Sequence, residues 1–375
     1  MNAYLDNSAT TKPCEQAVKK AAEIASDCYG NPSSLHFLGY EAKKELENAR
    51  TAVADFISVK SNEIYFTSGG TTSNMTAILG TAAAKKREGK KIITSRIEHP
   101  SVIKNFELLG EQGFSPVFLE SDRNGKVSLD DLYNAIDENT ILVSLMAVNN
   151  EVGSVQNFDK VKQVIKSKNS NALYHCDAVQ AFGKINLNPE KLGIDLMSMS
   201  AHKIHGLKGA GALYVSKNVR IRPAIVGGGQ ENGLVSGTES MPSLCAFGEA
   251  VKNIGSVEKN LEKVKNLRDR FLNKISDIDY IFVNSPVDAL PYILNISVKG
   301  VPSQVMLNAL SSEGICVSAG SACSKGHRSG VLSSMKIEPA RIDSAIRISL
   351  SKNTNDNEMD LLFDAIVKTA NRIRR

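Results

Sequence analysis

The stretch "EIYFTSGGTTSNMTAILGTAAAKKREGKKIITSRIEHPS", residues 63–101, decides how the chain folds. "EIYFT" is short, apolar and aromatic, the composition of a strand. Ser68-Gly69-Gly70 ends it in a glycine turn. "TSNMTAILGTAAAKKREGK" then reads as a helix with a basic C-terminal end. "KIITS" is a second strand, running into the polar cluster "EHPS". Strand, helix and strand in sequence make a βαβ unit.

The rhythm continues outward from there. "VIKNFELLGEQG" is a helix closed by glycine and "SPVFLE" a strand. In "SLDDLYNAID", Ser128 is placed as an N-cap with acidic residues in the first turn. "TILVSLMAVNN" is a strand, "NFDKVKQVIKSKN" a helix. "ALYHCDAVQ" and "IDLMSMSAHKIHG" are strand endings, and "GAGALYVSK" is a further strand. Such alternation predicts a mostly parallel sheet with helices on both faces. The apolar run "ILVSLMAV" at 141–148 suits a strand buried on both sides.

Near residue 255 the pattern changes. "SVEKNLEKVKNLRDRFLNKISDI" is a long amphipathic helix. Short strands follow in "YILNISV", "GICVSAG" and "SAIRISLSKNT", and "DNEMDLLFDAIVKTANRIRR" closes the chain as a helix. The expected architecture is α/β: a large unit over 13–255, and a smaller α+β unit made from 1–12 and 256–375.

The 375 residues suffice for two such units. Hydrophobic residues make up 42% and charged residues 23%, a globular balance. The net charge of +5 is dispersed, which argues against a nucleic-acid partner. No apolar run is long enough to cross a membrane, and the N-terminal stretch lacks the layout of a secretory signal. The six cysteines lack C-x-x-C spacing and read as reduced thiols, the pattern of a cytoplasmic protein.

Ligands of open α/β sheets bind beyond the carboxyl ends of the strands. "TSGGT", "EHPS", "NNE", "DAVQ" and "SAHK" all fall in that position, so they point to one site. Lys203, at a strand end between two histidines, is either a Schiff-base lysine with a lowered pKa or an exposed lysine. Asp177 shares a strand face with His175, while Cys176 points the other way, toward packing. Its carboxylate either pairs with a cation, such as a protonated pyridine nitrogen, or caps a helix. The turn at 67–74 offers backbone N–H groups and hydroxyls to a phosphate; it is neither a Walker A motif nor G-x-G-x-x-G. His99 stacks on an aromatic cofactor or is structural. Arg347 binds a substrate carboxylate or lies on the surface. Cys323 sits alone in "SAGSACSKGHRSG", residues 318–330, among small and basic residues.

Taken with "YLDNSATT", "YGNPSSLH", "NNEVGSVQ", "DAVQAFGKI", "SAHKIHGLKG", "GGGQENGLVSGTES" and "RISL", these stretches resemble the cysteine desulfurases of the NifS and IscS type, in the aminotransferase class V group. The matching stretches run in family order from residue 4 to residue 350. The resemblance implies the aminotransferase-like fold, type I among pyridoxal phosphate enzymes, with a seven-stranded sheet. It implies pyridoxal 5'-phosphate carried on Lys203, His99 stacked on the ring, Asp177 at its nitrogen and Gln180 at its phenolic oxygen. Gly70, Thr71, Ser200 and His202 would hold the phosphate, with Thr238 reaching over from the partner of a homodimer. Asn149 and Arg347 would bind the carboxylate of L-cysteine. Cys323 would take the sulfur as a persulfide, with His99, Lys325 and His327 as candidates to favour its thiolate. The sulfur would go on to an iron–sulfur scaffold or another sulfur carrier.

The chain departs from the family pattern in places. Thr72 and Met75 stand in the phosphate turn where the family reads T-E-S-N-N, and Leu207 replaces a proline. Val235 stands where an arginine usually precedes Ser-Gly-Thr, which predicts weaker anion binding there or altered partner docking. The neighbouring readings are another class V enzyme, an aminotransferase or selenocysteine lyase, and a weakly active scaffold for sulfur carriers.

Overall fold

The computed structural model describes residues 2–168, 171–319 and 328–374. Cys323, Lys325 and His327 therefore lie outside the described residues.

Twelve strands are described. In chain order they are β1 Ala3–Tyr4, β2 Ile64–Thr67, β3 Lys91–Ser95, β4 Ser115–Leu119, β5 Thr140–Ser144, β6 Leu173–Asp177, β7 Leu196–Ser200, β8 Gly211–Val215, β9 Ile281–Val283, β10 Ile293–Val298, β11 Ile315–Cys316 and β12 Ala345–Ser349. Seven form one sheet in the order β2-β8-β7-β6-β5-β3-β4. Only β8 runs against the others. Its link to β7, residues 201–210, is too short for the helical crossover that parallel neighbours need. The carboxyl ends of β2, β3, β5, β6 and β7 consequently lie along one edge.

Strands β6 and β7 show how the sheet sorts its faces. Tyr174, Cys176, Met197 and Met199 enter the main core, while Leu173 and Leu196 turn to the opposite side. That opposite side is covered by helix Gly70–Lys85, which lies on β5, β6, β7 and β8. On the main-core side, helix Met241–Lys252 packs against Glu15–Ser26 and Phe37–Phe56. A Cβ on Gly248 would stand 2.5 Å from Ala49 Cα, so glycine permits that helix contact.

The second sheet is antiparallel, β12-β10-β9. The N-terminal strand β1 pairs in parallel with β11. Helices Val257–Ile275, Ser303–Ser312 and Asp356–Ile373 belong to this C-terminal region. Among the described residues no helix is long and apolar enough to cross a membrane.

Candidate active site

Lys203 ends the strand edge. It follows β7 in a single 3-10 turn, Ala201–Lys203. Its Nζ donates to the carbonyls of Ser8 and Ala9, the latter at 2.7 Å. Burial, then the Arg347 charge, lowers its pKa to about 8. A lysine so placed is unprotonated often enough to act as a nucleophile or base.

Asp177 is the last residue of β6 and is buried. Its Oδ2 accepts from Asn74 Nδ2 at 2.8 Å and its Oδ1 from Val179 N at 3.0 Å. The second bond is a local cap, and the first comes from helix Gly70–Lys85. As the strand alternation required, His175 shares its face and Cys176 is buried on the other. His175 is bridged by Ser144 at 2.8 Å and Ser198 at 2.9 Å; burial drives its pKa to about 3, so it is a neutral structural group.

His99 caps helix Pro100–Glu111. Its Nδ1 accepts from Ser101 N at 3.1 Å, which leaves Nε2 as the protonated nitrogen. Burial lowers its pKa. Asn74 Nδ2 also reaches Ser101 Oγ at 2.9 Å, so one asparagine ties His99's helix to Asp177.

Helix Gly70–Lys85 starts at the sheet edge behind Gly69, whose φ of 150° is glycine territory. Its first N–H groups form an anion cradle. A Cβ on Gly70 would lie 2.7 Å from Val179 Cγ2, so a side chain there would fill the cradle. Thr71 is exposed beside it. Ser200, the last residue of β7, has a buried Oγ with no partner. His202 is held by Thr10 Oγ1 at 3.2 Å, and burial lowers its pKa to about 4. The departures from the family pattern are accommodated. Thr72 Oγ1 bonds Ser68 Oγ at 2.6 Å, and Leu207 packs against the main core. Val235 joins Leu234, Val219 and Ile221 in an apolar cluster under the sheet edge.

Arg347 is a buried residue of β12. It donates to Asn150 O at 3.1 Å and Asp6 Oδ1 at 3.0 Å, and its Nε has no partner. Asn149 is fully buried. Its amide is spent on Ile97 O at 2.9 Å and on the N–H groups of Glu151 and Val152, so it builds the turn that presents Asn150 to Arg347. Gln180 Nε2 donates to Ser8 O at 3.0 Å. Thr238 is exposed. Among the described residues no hydrogen bond joins it to the rest.

Four contributors escaped the sequence reading: Asp6, Asn74, Glu98 and Lys184. All four lie inside stretches that stood out, "YLDNSATT", "TSGGTTSN", "EHPS" and "DAVQAFGKI", but the roles of Asp6 and Asn74 depend on partners over 100 residues away.

The donor set fits pyridoxal phosphate. The cradle at Gly70 and the orphaned Ser200 hydroxyl suit a phosphate, the buried Asp177 carboxylate suits a pyridinium, and Lys203 suits the aldehyde carbon. Among the described residues no group of His, Cys, Asp and Glu is arranged for a metal.

The aminotransferase class-V family model matches residues 3–362. A cysteine desulfurase IscS from Dictyoglomus turgidum is 38% identical over 99% of this chain and 95% of its own length. A NifS-like protein of known structure superposes with a TM-score of 0.93 at 36% identity, covering 98% of this chain and 99% of that one. A structure described as SspA in complex with cysteine gives 0.83 at 31% identity, covering 94% and 100%. The chain belongs to the class-V aminotransferase family, among its cysteine desulfurases of the NifS and IscS type.

Proposed function

We propose that the protein is a pyridoxal-phosphate-dependent cysteine desulfurase that converts L-cysteine to L-alanine and leaves the sulfur on Cys323 as a persulfide. The observation that carries this is Lys203: a half-buried lysine of lowered pKa, just beyond β7 on the sheet edge where the buried Asp177 ends β6.

When bound, the cofactor supplies an electron-withdrawing ring that acidifies the substrate's Cα–H and activates its C–S bond. The remaining work belongs to side chains. Lys203 holds the cofactor and moves the Cα proton. Asp177, oriented by two hydrogen-bond donors, would face the ring nitrogen and pair with it. His99 would stack on the ring, with Nδ1 held by Ser101 N and Nε2 carrying the proton. Gln180 donates to the phenolic oxygen. Gly70, Thr71, Ser200 and His202 bind the phosphate with the partner subunit's Thr238. Arg347 binds the substrate carboxylate on the turn built by Asn149. The Cys323 thiolate attacks the substrate sulfur, the C–S bond breaks, and the carbon skeleton keeps the electron pair and gains a proton.

The division into 13–255, and 1–12 with 256–375, belongs to the same reading. So does a homodimer, supported by the exposed Tyr29, Leu35, Phe37 and Tyr40. The sulfur acceptor is proposed to be an iron–sulfur scaffold or sulfur-carrier protein, met in the cytoplasm. The experiment is sulfide and alanine release from L-cysteine with a thiol reductant. Cys323→Ala is expected to stay yellow and lose sulfide release, and Lys203→Ala to lose both. Undiminished release from either variant would defeat the assignment.

A further inference from the structure

Lys184 follows Gln180 by four residues, in the turns after β6, in "DAVQAFGKI", and is 6% exposed. Its Nζ donates to Gln180 Oε1 at 2.9 Å and stands 5.7 Å from the centroid of the Tyr292 ring. Gly183, with φ 76°, places it there; a Cβ at 183 would lie 2.8 Å from Ile204 Cγ2. The two lysines 184 and 203 line the same small cavity, together with Thr11, His205, Tyr292 and Lys352. No carboxylate is among the lining residues. Among the described residues Lys184 makes no ion pair. A buried lysine with one neutral acceptor opposes folding, and a methionine would fit the same space at less expense in stability.

The arrangement does one thing a methionine cannot. A glutamine amide can flip, exchanging donor and acceptor ends. The Lys184 ammonium offers only donors, so the amide end facing it must be Oε1; burial, then the Lys203 charge, lowers its pKa to about 7, so the lock holds below that pH. Nε2 is then forced to the opposite side, where it meets Ser8 O, the same carbonyl that receives Lys203.

We propose that Lys184 is a positioning residue that locks the Gln180 amide so that it presents a donor to the cofactor's phenolic oxygen. The inference rests on the pyridoxal phosphate reading of the site. With Lys184 removed, the amide flips part of the time and turns an acceptor oxygen toward another oxygen. The groups around Lys184 that also carry or take up charge are Lys203, Lys352, His205 and Arg347, with Asp6 and Asp177 acting on Lys203.

The test uses the holoenzyme and reads cofactor dissociation from the visible band, separately from activity. Lys184→Met is expected to release pyridoxal phosphate about tenfold faster, while the apo protein melts no lower than wild type. In a Gln180→Ala background the same substitution is expected to add nothing. Gln180→Glu pairs with Lys184 and points its second carboxylate oxygen at the phenolic oxygen. It is expected to stabilise the apo protein yet speed cofactor release to a similar degree. Unchanged release in Lys184→Met, or an undiminished effect in the Gln180→Ala background, would overturn the proposal. A wild-type protein that takes up no pyridoxal phosphate would instead defeat the reading of the site, and that is seen before any variant is made.

Discussion

Glu98, beside His99, shows how burial alone can set a charge state. Its Oε1 accepts from Ser95 Oγ at 2.9 Å and from Met146 N at 2.8 Å, while Oε2 has no partner. Burial, reinforced by the Asp177 charge, raises its pKa to about 8. The folded protein therefore keeps a proton that the unfolded chain releases near its ordinary carboxylate pKa. Stability from this group falls as pH rises from there to about 8. Glu98→Gln, which mimics the protonated acid, is expected to be nearly neutral at pH 4 and stabilising by a few kcal/mol at pH 9. Urea unfolding at the two pH values checks this, and equal differences at both would refute it. Arg347 gives a second residue-scale prediction. Lysine there keeps the charge but loses the planar fork. Arg347→Lys is expected to raise KM for L-cysteine about tenfold or more without loss of the yellow colour. The contrast between these residues explains what a sequence can disclose. Lys203, Asp177 and His99 were legible because each sits where a strand ends in a polar cluster. Glu98 opens the same cluster, "EHPS", yet its charge state was not legible, since it comes from an environment assembled from β3 and the end of β5.

At the scale of elements, caps and periodic helices were readable, and helix Phe37–Phe56 was not. Ser128 accepts from Asp131 N and caps its helix as expected. The long helix Val257–Ile275 is found where its amphipathic pattern put it. Helix Phe37–Phe56 went unread because it buries Gly39, Ala42, Ala49 and Ala54 while exposing Phe37 and Tyr40, which inverts the usual pattern. The reversed direction of β8 follows from a short connection, a feature available in the sequence once the strand ends are known. The same helix holds a connection the sequence could not show. Arg50 grips Glu231 with two bonds of 2.6 and 2.8 Å, and Glu231 also accepts from Phe66 N at 2.7 Å. This buried pair ties the segment leading to Val235 and Thr238 to helix Phe37–Phe56 and to β2. Removing one partner leaves a charge buried alone, so Arg50→Ala is expected to destabilise by about 3–5 kcal/mol. Glu231 and Asn232 sit at φ 50° and 54°. Asn232→Gly is therefore expected to be tolerated, whereas a β-branched residue there would strain the turn. Equilibrium unfolding of the three variants decides the matter.

For the whole molecule, the N-terminal segment is the joint on which the site depends. β1 pairs with β11, and Asn7 Nδ2 and Ser8 N bond Ser349 of β12. Asp6 accepts from Arg347 and from Ser318 Oγ at 2.8 Å. A few residues on, the same segment reaches the large sheet. Ser8 O and Ala9 O receive Lys203, Ser8 O also receives Gln180, and Thr11 N donates to His202 O at 2.9 Å. The strap thus links the substrate-carboxylate arginine to the cofactor lysine, although 144 positions separate residues 203 and 347 in the sequence. Cutting it should separate functions that local substitutions leave joined. A chain lacking residues 1–11 loses β1 and every one of these bonds, but neither the seven-stranded sheet nor its covering helices. It is expected to keep the circular dichroism of the large sheet and its helices. It should bind pyridoxal phosphate at least tenfold more weakly, from the loss of several hydrogen bonds around Lys203, and unfold in two calorimetric transitions instead of one. A truncated chain with one transition and undiminished cofactor affinity would show that the two sheets are coupled through Arg347 and the C-terminal helices alone, and that the strap is dispensable.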